Sequence, residues 1–126
     1  MSGYIINIEE KTEANDYFRQ VLFTAKNCQL VVMSIKPGED IGEEVHKLDQ
    51  FLRVESGEGK AMLDGEGTNI KDGFAVVVPA GTKHNIINTS SLIPLKLYTL
   101  YAPPQHRDGT IHQTKADALA DEEDHT

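Results

Sequence analysis

Apolar and polar positions alternate in short runs along most of the chain. Such runs occupy residues 17–24, 29–36, 44–45, 50–56, 60–63, 68–70, 75–78, 84–89 and 94–101. Turn formers separate them: Ala25-Lys26-Asn27, Pro37-Gly38, Gly57-Glu58-Gly59, Asp64-Gly65-Glu66-Gly67, Asp72-Gly73, Gly81 and Asn88-Thr89-Ser90-Ser91. A period of two bounded by Gly, Pro, Asn and Asp is the signature of a strand. Between residues 17 and 101 no segment keeps a helical period for three turns. Many short strands at regular spacing predict an all-β fold, an antiparallel sandwich or barrel.

The two ends read differently. Residues 4–8 are β-favouring and predict an N-terminal strand, and the acidic stretch 9–16 reads as a single helical turn. After Tyr101, Pro103 and Pro104 cannot donate to a ladder, so a central strand has to stop there. The tail from Lys115 alternates Ala with Asp and predicts a weak helix, with Asp121-Glu122-Glu123-Asp124 as a solvated, frayed terminus. No internal repeat is visible. The pattern gives one domain over residues 1–126, with a barrel core at about 17–101, a strand at 4–8 and an irregular C-terminal extension at 102–126.

Composition narrows the function classes. The chain has 126 residues, 39% of them hydrophobic, which suits one core. A net charge of -8 and a pI near 5.0 argue against nucleic acid or an anionic membrane as partner. There is no apolar run of the roughly 20 residues a membrane span needs, and no basic stretch followed by a long apolar one at the N-terminus. Cys28 is the single cysteine, so an internal disulfide is excluded and a reducing, cytoplasmic setting is expected.

Two segments resemble the paired signatures of the cupin superfamily, small β-barrels of the jelly-roll (double-stranded β-helix) type. The second signature is Gly, five residues, Pro-x-Gly, two residues, His, three residues, Asn, and Gly73, Pro79, Gly81, His84 and Asn88 match it throughout. The first is Gly, five residues, His-x-His, three or four residues, Glu, six residues, Gly. Here Gly38, His46 and Gly57 match, but Glu44 stands at the first His and Gln50 at the Glu. The resemblance covers about residues 28–101.

The resemblance implies a divalent metal held by Glu44, His46, Gln50 and His84, where the family's usual set is three His and one Glu. Strand parity agrees with it. Glu44 and His46 are two apart and share a face, Gln50 keeps that parity, and Asn88 keeps that of His84. Two imidazoles and a carboxylate are the inventory of a facial triad with open positions, and such N/O ligands suit Fe, Mn, Ni, Co or Zn. Gln50 is then a fourth ligand through its carbonyl oxygen, or a donor behind the ligands. Leu52, Val54 and Ile86 are expected to flank the site.

Other polar residues have plainer readings. Glu43 and Asp49 fall at the opposite parity and are expected in solvent, and Phe51, Arg53 and Glu55 on the outer face. His106, His112 and His125 lie outside the barrel segments and read as surface residues, although a tail folded back over the barrel mouth would bury His112. Only one of Tyr98 and Tyr101 can look inward. Arg19 would add an anion anchor if it faced inward. The large aromatic Phe51 on an outer face and the family resemblance together suggest a homodimer.

Three function classes follow. One is a metal-dependent enzyme acting on a small organic molecule, of dioxygenase, isomerase or lyase type, with Glu44 as ligand or general base. The second is a metal- or metabolite-binding sensor without turnover. The third is an interaction protein that keeps only the barrel.

Overall fold

Glycines set where the strands break. The computed structural model describes residues 2–121, and its strands are β1 (Arg19–Thr24), β2 (Gln29–Ile35), β3 (Asp49–Ser56), β4 (Glu58–Leu63), β5 (Glu66–Lys71), β6 (Ala75–Val78), β7 (His84–Asn88), β8 (Leu95–Ala102) and β9 (Ile111–His112). Gly57 separates β3 from β4 at φ +96°, a conformation that L side chains rarely adopt, and a Cβ there would lie 2.6 Å from the carbonyl oxygen of Pro94. The chain can therefore turn from one sheet into the other within one residue.

The strands form two antiparallel sheets. The larger runs β6-β3-β8-β2-β1-β9 and the smaller β5-β4-β7. Residues 39–44 extend the smaller sheet along β7 without forming a regular strand. Isolated bridges pair Asp40 with Ile87 and Glu44 with His84, and the backbone N–H of Ile41 donates to the carbonyl of Ile86 at 2.9 Å. The expected run at residues 44–45 is this single bridge.

The core lies between the sheets. Val31, Met33 and Ile35 of β2, Leu52 and Val54 of β3, and Leu95 and Leu97 of β8 face Ala61, Ile70 and Ile86 of the smaller sheet. On β3 and β8 they alternate with less buried neighbours over most of the strand, whereas on β2 Val32 and Ser34 are buried too. Each fully buried side chain of this size contributes about 1.5–3 kcal/mol. On the outside, Val77, Phe51 and Leu100 lie side by side across β6, β3 and β8, with Val77 62% exposed.

The ends depart from the sequence reading. Residues 4–8 form no strand. Tyr4 stacks on Phe23 with centroids 5.3 Å apart, while the Ile5 side chain points to solvent. A strand needs a sheet edge, and β9 already holds the edge beside β1. Instead α1 (Ile8–Ala14) begins after Asn7, whose side chain accepts from the N–H of Glu10 at 3.1 Å. This helix, two turns rather than one, packs on β2, β3 and β8. β8 stops at Ala102, just before Pro103.

The tail does fold back. β9 pairs with β1, and α2 (Lys115–Ala120) follows a capping box in which Thr114 and Asp117 bond each other's backbone. His106 and His112 are therefore buried, not at the surface as expected. Glu55 is also buried, beside Arg53, where the β3–β8 register shifts between Val54 and Ser56. Of the acidic terminus, Asp121 is described and Glu122, Glu123, Asp124 and His125 lie outside the described residues.

Candidate metal centre and the chamber outside it

Two loops and two strand starts bring the predicted residues together. The loop 79–83 is pinned at both ends: Asp49 accepts from the N–H of Ala80 and Asp64 from that of Lys83, both at 2.9 Å. The N–H of Gly81 donates to the carbonyl of His46 at 2.8 Å. This delivers His84 to the start of β7. Opposite, Glu44 and His84 exchange both backbone hydrogen bonds at 2.9 Å, which fixes the register between them.

The side chains meet at one end of the barrel. Glu44, His46, Gln50 and His84, with Tyr101 and Ile86, line a cavity of about 10 Å³. His46 Nε2 is 3.4 Å from Glu44 Oε2, and the two imidazole centroids are 5.0 Å apart. His46, Gln50 and His84 are buried, and Glu44 is half-buried. Tyr101 is the inward tyrosine, edge-on to His46 at 6.2 Å, and Tyr98 lies outside against Phe51. Glu43, near Lys83, and Asp49 are both exposed, as their parity predicts.

Hydrogen bonding fixes the chemical state of several groups. His84 Nδ1 lies 3.0 Å from the carbonyl oxygen of Thr82, which can only accept, so Nδ1 carries a proton, and in the neutral tautomer this leaves the lone pair on Nε2. Gln50 Nε2 donates to Thr99 Oγ1 at 3.0 Å, and its Oε1 is buried with no hydrogen-bond partner. His46 Nδ1 is likewise buried and without one. Burial holds the His46 ring below its ordinary pKa, opposed by the charge of Glu44 and reinforced by those of His84 and Arg19. The ring is kept neutral, as a metal ligand has to be.

The donor chemistry fits a metal ion: two imidazoles, one carboxylate and an amide oxygen lacking a donor. Yet among the described residues no three His, Cys, Asp or Glu side chains are already gathered into an ion-holding group. Asn88 does not join the site. Its Nδ2 donates to the carbonyls of Ile35 at 2.9 Å and Ile93 at 3.0 Å, and its Oδ1 accepts from the N–H of Ser90, so it ties the end of β7 to the neighbouring loops.

The tail supplies what strand patterning missed. Outside the inner cavity lies a chamber of about 240 Å³ bounded by Phe18, Arg19, Glu44, His106 and α2. Arg19 is buried, with its Nη1 3.3 Å from His112 Nδ1. A guanidinium can only donate, so Nδ1 accepts, and the ring proton sits on Nε2, 2.9 Å from Asp121 Oδ2. Arg107 also grips Asp121, at 2.8 Å. His106 packs edge-on against Tyr101 at 5.2 Å. The Thr114-x-x-Asp117 spacing of a capping box is a further local sign of this helix, but the partner of Lys115, Asp40, lies 75 residues away.

The comparisons agree with this architecture. The sequence profile of the family described as cupin domain matches residues 31–101. The uncharacterized protein YrkC of Bacillus subtilis is 48% identical over 95% of this chain and 68% of its own length. The uncharacterized protein L612 of Acanthamoeba polyphaga mimivirus is 45% identical over 86% of this chain and 70% of its own. The crystal structure of BH2720 from Bacillus halodurans superposes with a TM-score of 0.90, at 48% identity, over 93% of both chains. Barrel, signature spacing and relatives together make this chain a member of the cupin family.

Proposed function

We propose that the inner cavity binds one divalent metal ion through Glu44, His46 and His84, with Gln50 Oε1 as a fourth donor, and that the ion serves chemistry on a small organic molecule. One observation carries the reading: a buried amide oxygen without a donor, beside two imidazoles, is an acceptor in want of a cation. The 3.4 Å between His46 Nε2 and Glu44 Oε2 is also about the spacing two ligands of one ion keep when each bond is roughly 2.0–2.2 Å. Closing the group takes side-chain movement, for which the half-buried Glu44 has room.

A bound ion would supply Lewis acidity. This chain's own residues would exclude water around it with Ile86 and Ile41 and keep His84 in its Nε2-accepting form through Thr82, with Glu44 as ligand or, if released, as general base. The reaction type, dioxygenase, isomerase or lyase, is not distinguished by these residues. Elemental analysis of protein purified without added metal, repeated on Glu44→Ala and His84→Ala, tests the proposal. Near-equimolar metal, lost in both variants, supports it. Absence of metal, even after dialysis against Mn, Fe, Ni, Co or Zn, ends it. A folded wild-type protein that loads metal without turnover would favour the sensor reading. A second copy of the chain is proposed to cover Val77, Phe51 and Leu100, and sedimentation of Val77→Lys against wild type tests that.

A further inference from the structure

The inner cavity, at about 10 Å³, has room for one water-sized species. An organic ligand has to sit in the chamber of about 240 Å³ outside it, and Ile41, Gly42 and Glu44 border both spaces. That chamber lies just below the size of drug-sized pockets, so it suits a small ligand.

Arg19 dominates the chamber wall. It is 7% exposed, its guanidinium lies 5.2 Å from the centroid of the Phe18 ring, and its side-chain hydrogen bond runs to an imidazole rather than a carboxylate. Its Nε is buried with no hydrogen-bond partner. A guanidinium taken out of water without a carboxylate hydrogen-bonded to it is costly, and a planar carboxylate answers it with paired hydrogen bonds. The other cation bordering the chamber, Lys115, is already held by Asp40 at 2.5 Å.

We infer that Arg19 is the recognition residue for the carboxylate of a small monocarboxylic acid lodged between the inner cavity and α2. A phosphate is disfavoured: phosphate sites gather several arginines, whereas here Glu43 and Glu44 share the wall and would repel a dianion. His112, held by Asp121, positions the guanidinium. Leu119 and Ala118 of α2 line the chamber, so the tail forms part of the binding site. This deepens the function proposed above and rests on it only in taking the barrel mouth as the ligand site.

The test uses full-length protein stripped of metal with a chelator, so that anion recognition is read apart from metal loading. Lactate, the isosteric neutral lactamide and inorganic phosphate are titrated while the arginine Nε–H resonances are followed by 15N NMR. The expected result is a saturable shift of the Arg19 resonance with lactate, with roughly ten- to hundredfold weaker binding of lactamide. Arg19→Met should lose the preference for lactate, and Arg19→Lys should retain it weakly, since an ammonium keeps the charge without the fork. Equal binding of lactate and lactamide, tighter binding of phosphate, or lactate shifts that spare Arg19 would each overturn the inference. Should neither variant fold, the wild-type titration decides alone. If lactate moves Arg19 while elemental analysis finds no metal, this inference stands and the metal reading falls. If metal is found and lactate leaves Arg19 unmoved, the metal reading stands and this inference falls.

Discussion

Gln50 gives its amide nitrogen to Thr99 Oγ1 at 3.0 Å and keeps its amide oxygen buried without a partner. Leaving an acceptor unsatisfied costs about 1–3 kcal/mol. Gln50→Leu removes that cost and strands the Thr99 hydroxyl instead, so metal-free Gln50→Leu should unfold in urea within about 1 kcal/mol of wild type. Gln50→Glu puts a carboxylate in the same dry place and should lose about 1–3 kcal/mol without metal. Adding metal should reverse the order, raising the Tm of Gln50→Glu by more than that of wild type. A metal-free Gln50→Glu protein as stable as wild type would contradict the role assigned to that oxygen.

Asn88 offers the contrast, since all of its polar atoms are satisfied within the fold. Asn88→Ala strands two carbonyls and one N–H in a nearly dry site, and should cost about 2–4 kcal/mol in urea unfolding. Metal content should not change in whatever fraction stays folded. Loss of metal from a folded Asn88→Ala protein would bring this residue back into the site.

The β3–β4 corner makes a separate demand. A Cβ on Gly59 would lie 2.4 Å from the carbonyl oxygen of Ile87 and 2.9 Å from Leu95 Cδ2. Backbone cannot retreat as a flexible side chain can, and β4 pairs with β7 at this point. Gly59→Ala should therefore cost about 2 kcal/mol or more, while Gly65→Ala, with open space but φ +85°, should cost about 1 kcal/mol. Thermal melts of the two variants check the order.

How much of this was legible in sequence depends on the range of the interactions. Alternation and turn residues are local, so β2, β3 and β6 fall within a residue of the predicted runs. The family resemblance, with which local strand parity agreed, named Glu44, His46, Gln50 and His84, and all four line one cavity. Residues 4–8 misled because β-propensity says nothing of whether a sheet edge is open. His106 and His112 misled because their burial comes from Gln29, which bonds the backbone of His106, and from Arg19, 93 residues before its partner. Nothing periodic in the tail announces those contacts.

Acid should weaken the fold through His46. Burial sets its folded pKa below the ordinary 6.5, so the unfolded chain takes up a proton first as pH falls. The stabilisation is whole above about pH 6.5 and is lost as pH drops toward the folded value. Urea midpoints of metal-free protein at pH 8, 6.5 and 5.5 should fall in that order, and His46→Gln should flatten the trend. Metal affinity should fall over the same range, because a protonated imidazole has no lone pair to give.

Asp40 joins the tail to the loop that carries Glu44. Its carboxylate takes Lys115 Nζ at 2.5 Å and Asn85 Nδ2 at 2.9 Å, while Asn85 Oδ1 accepts from the N–H of Gly42. The hydrogen bond from Lys115, then that from Asn85, holds this carboxyl below the usual 3.8 against a smaller burial effect. A depressed carboxyl contributes stability that is present above pH 3.8 and lost as pH falls through its folded value. The pair is partly exposed, so after solvent screening it is worth about 0.5–1 kcal/mol. Amides of α2 should then exchange about two- to fivefold faster, after correction for intrinsic rates, once the pH falls below that value. Asp40→Asn should show the faster exchange already at neutral pH, without a further step in acid. Amides of β2 and β8 should keep their protection throughout, and their loss in step with α2 would mean that the tail is no separate unit of the barrel.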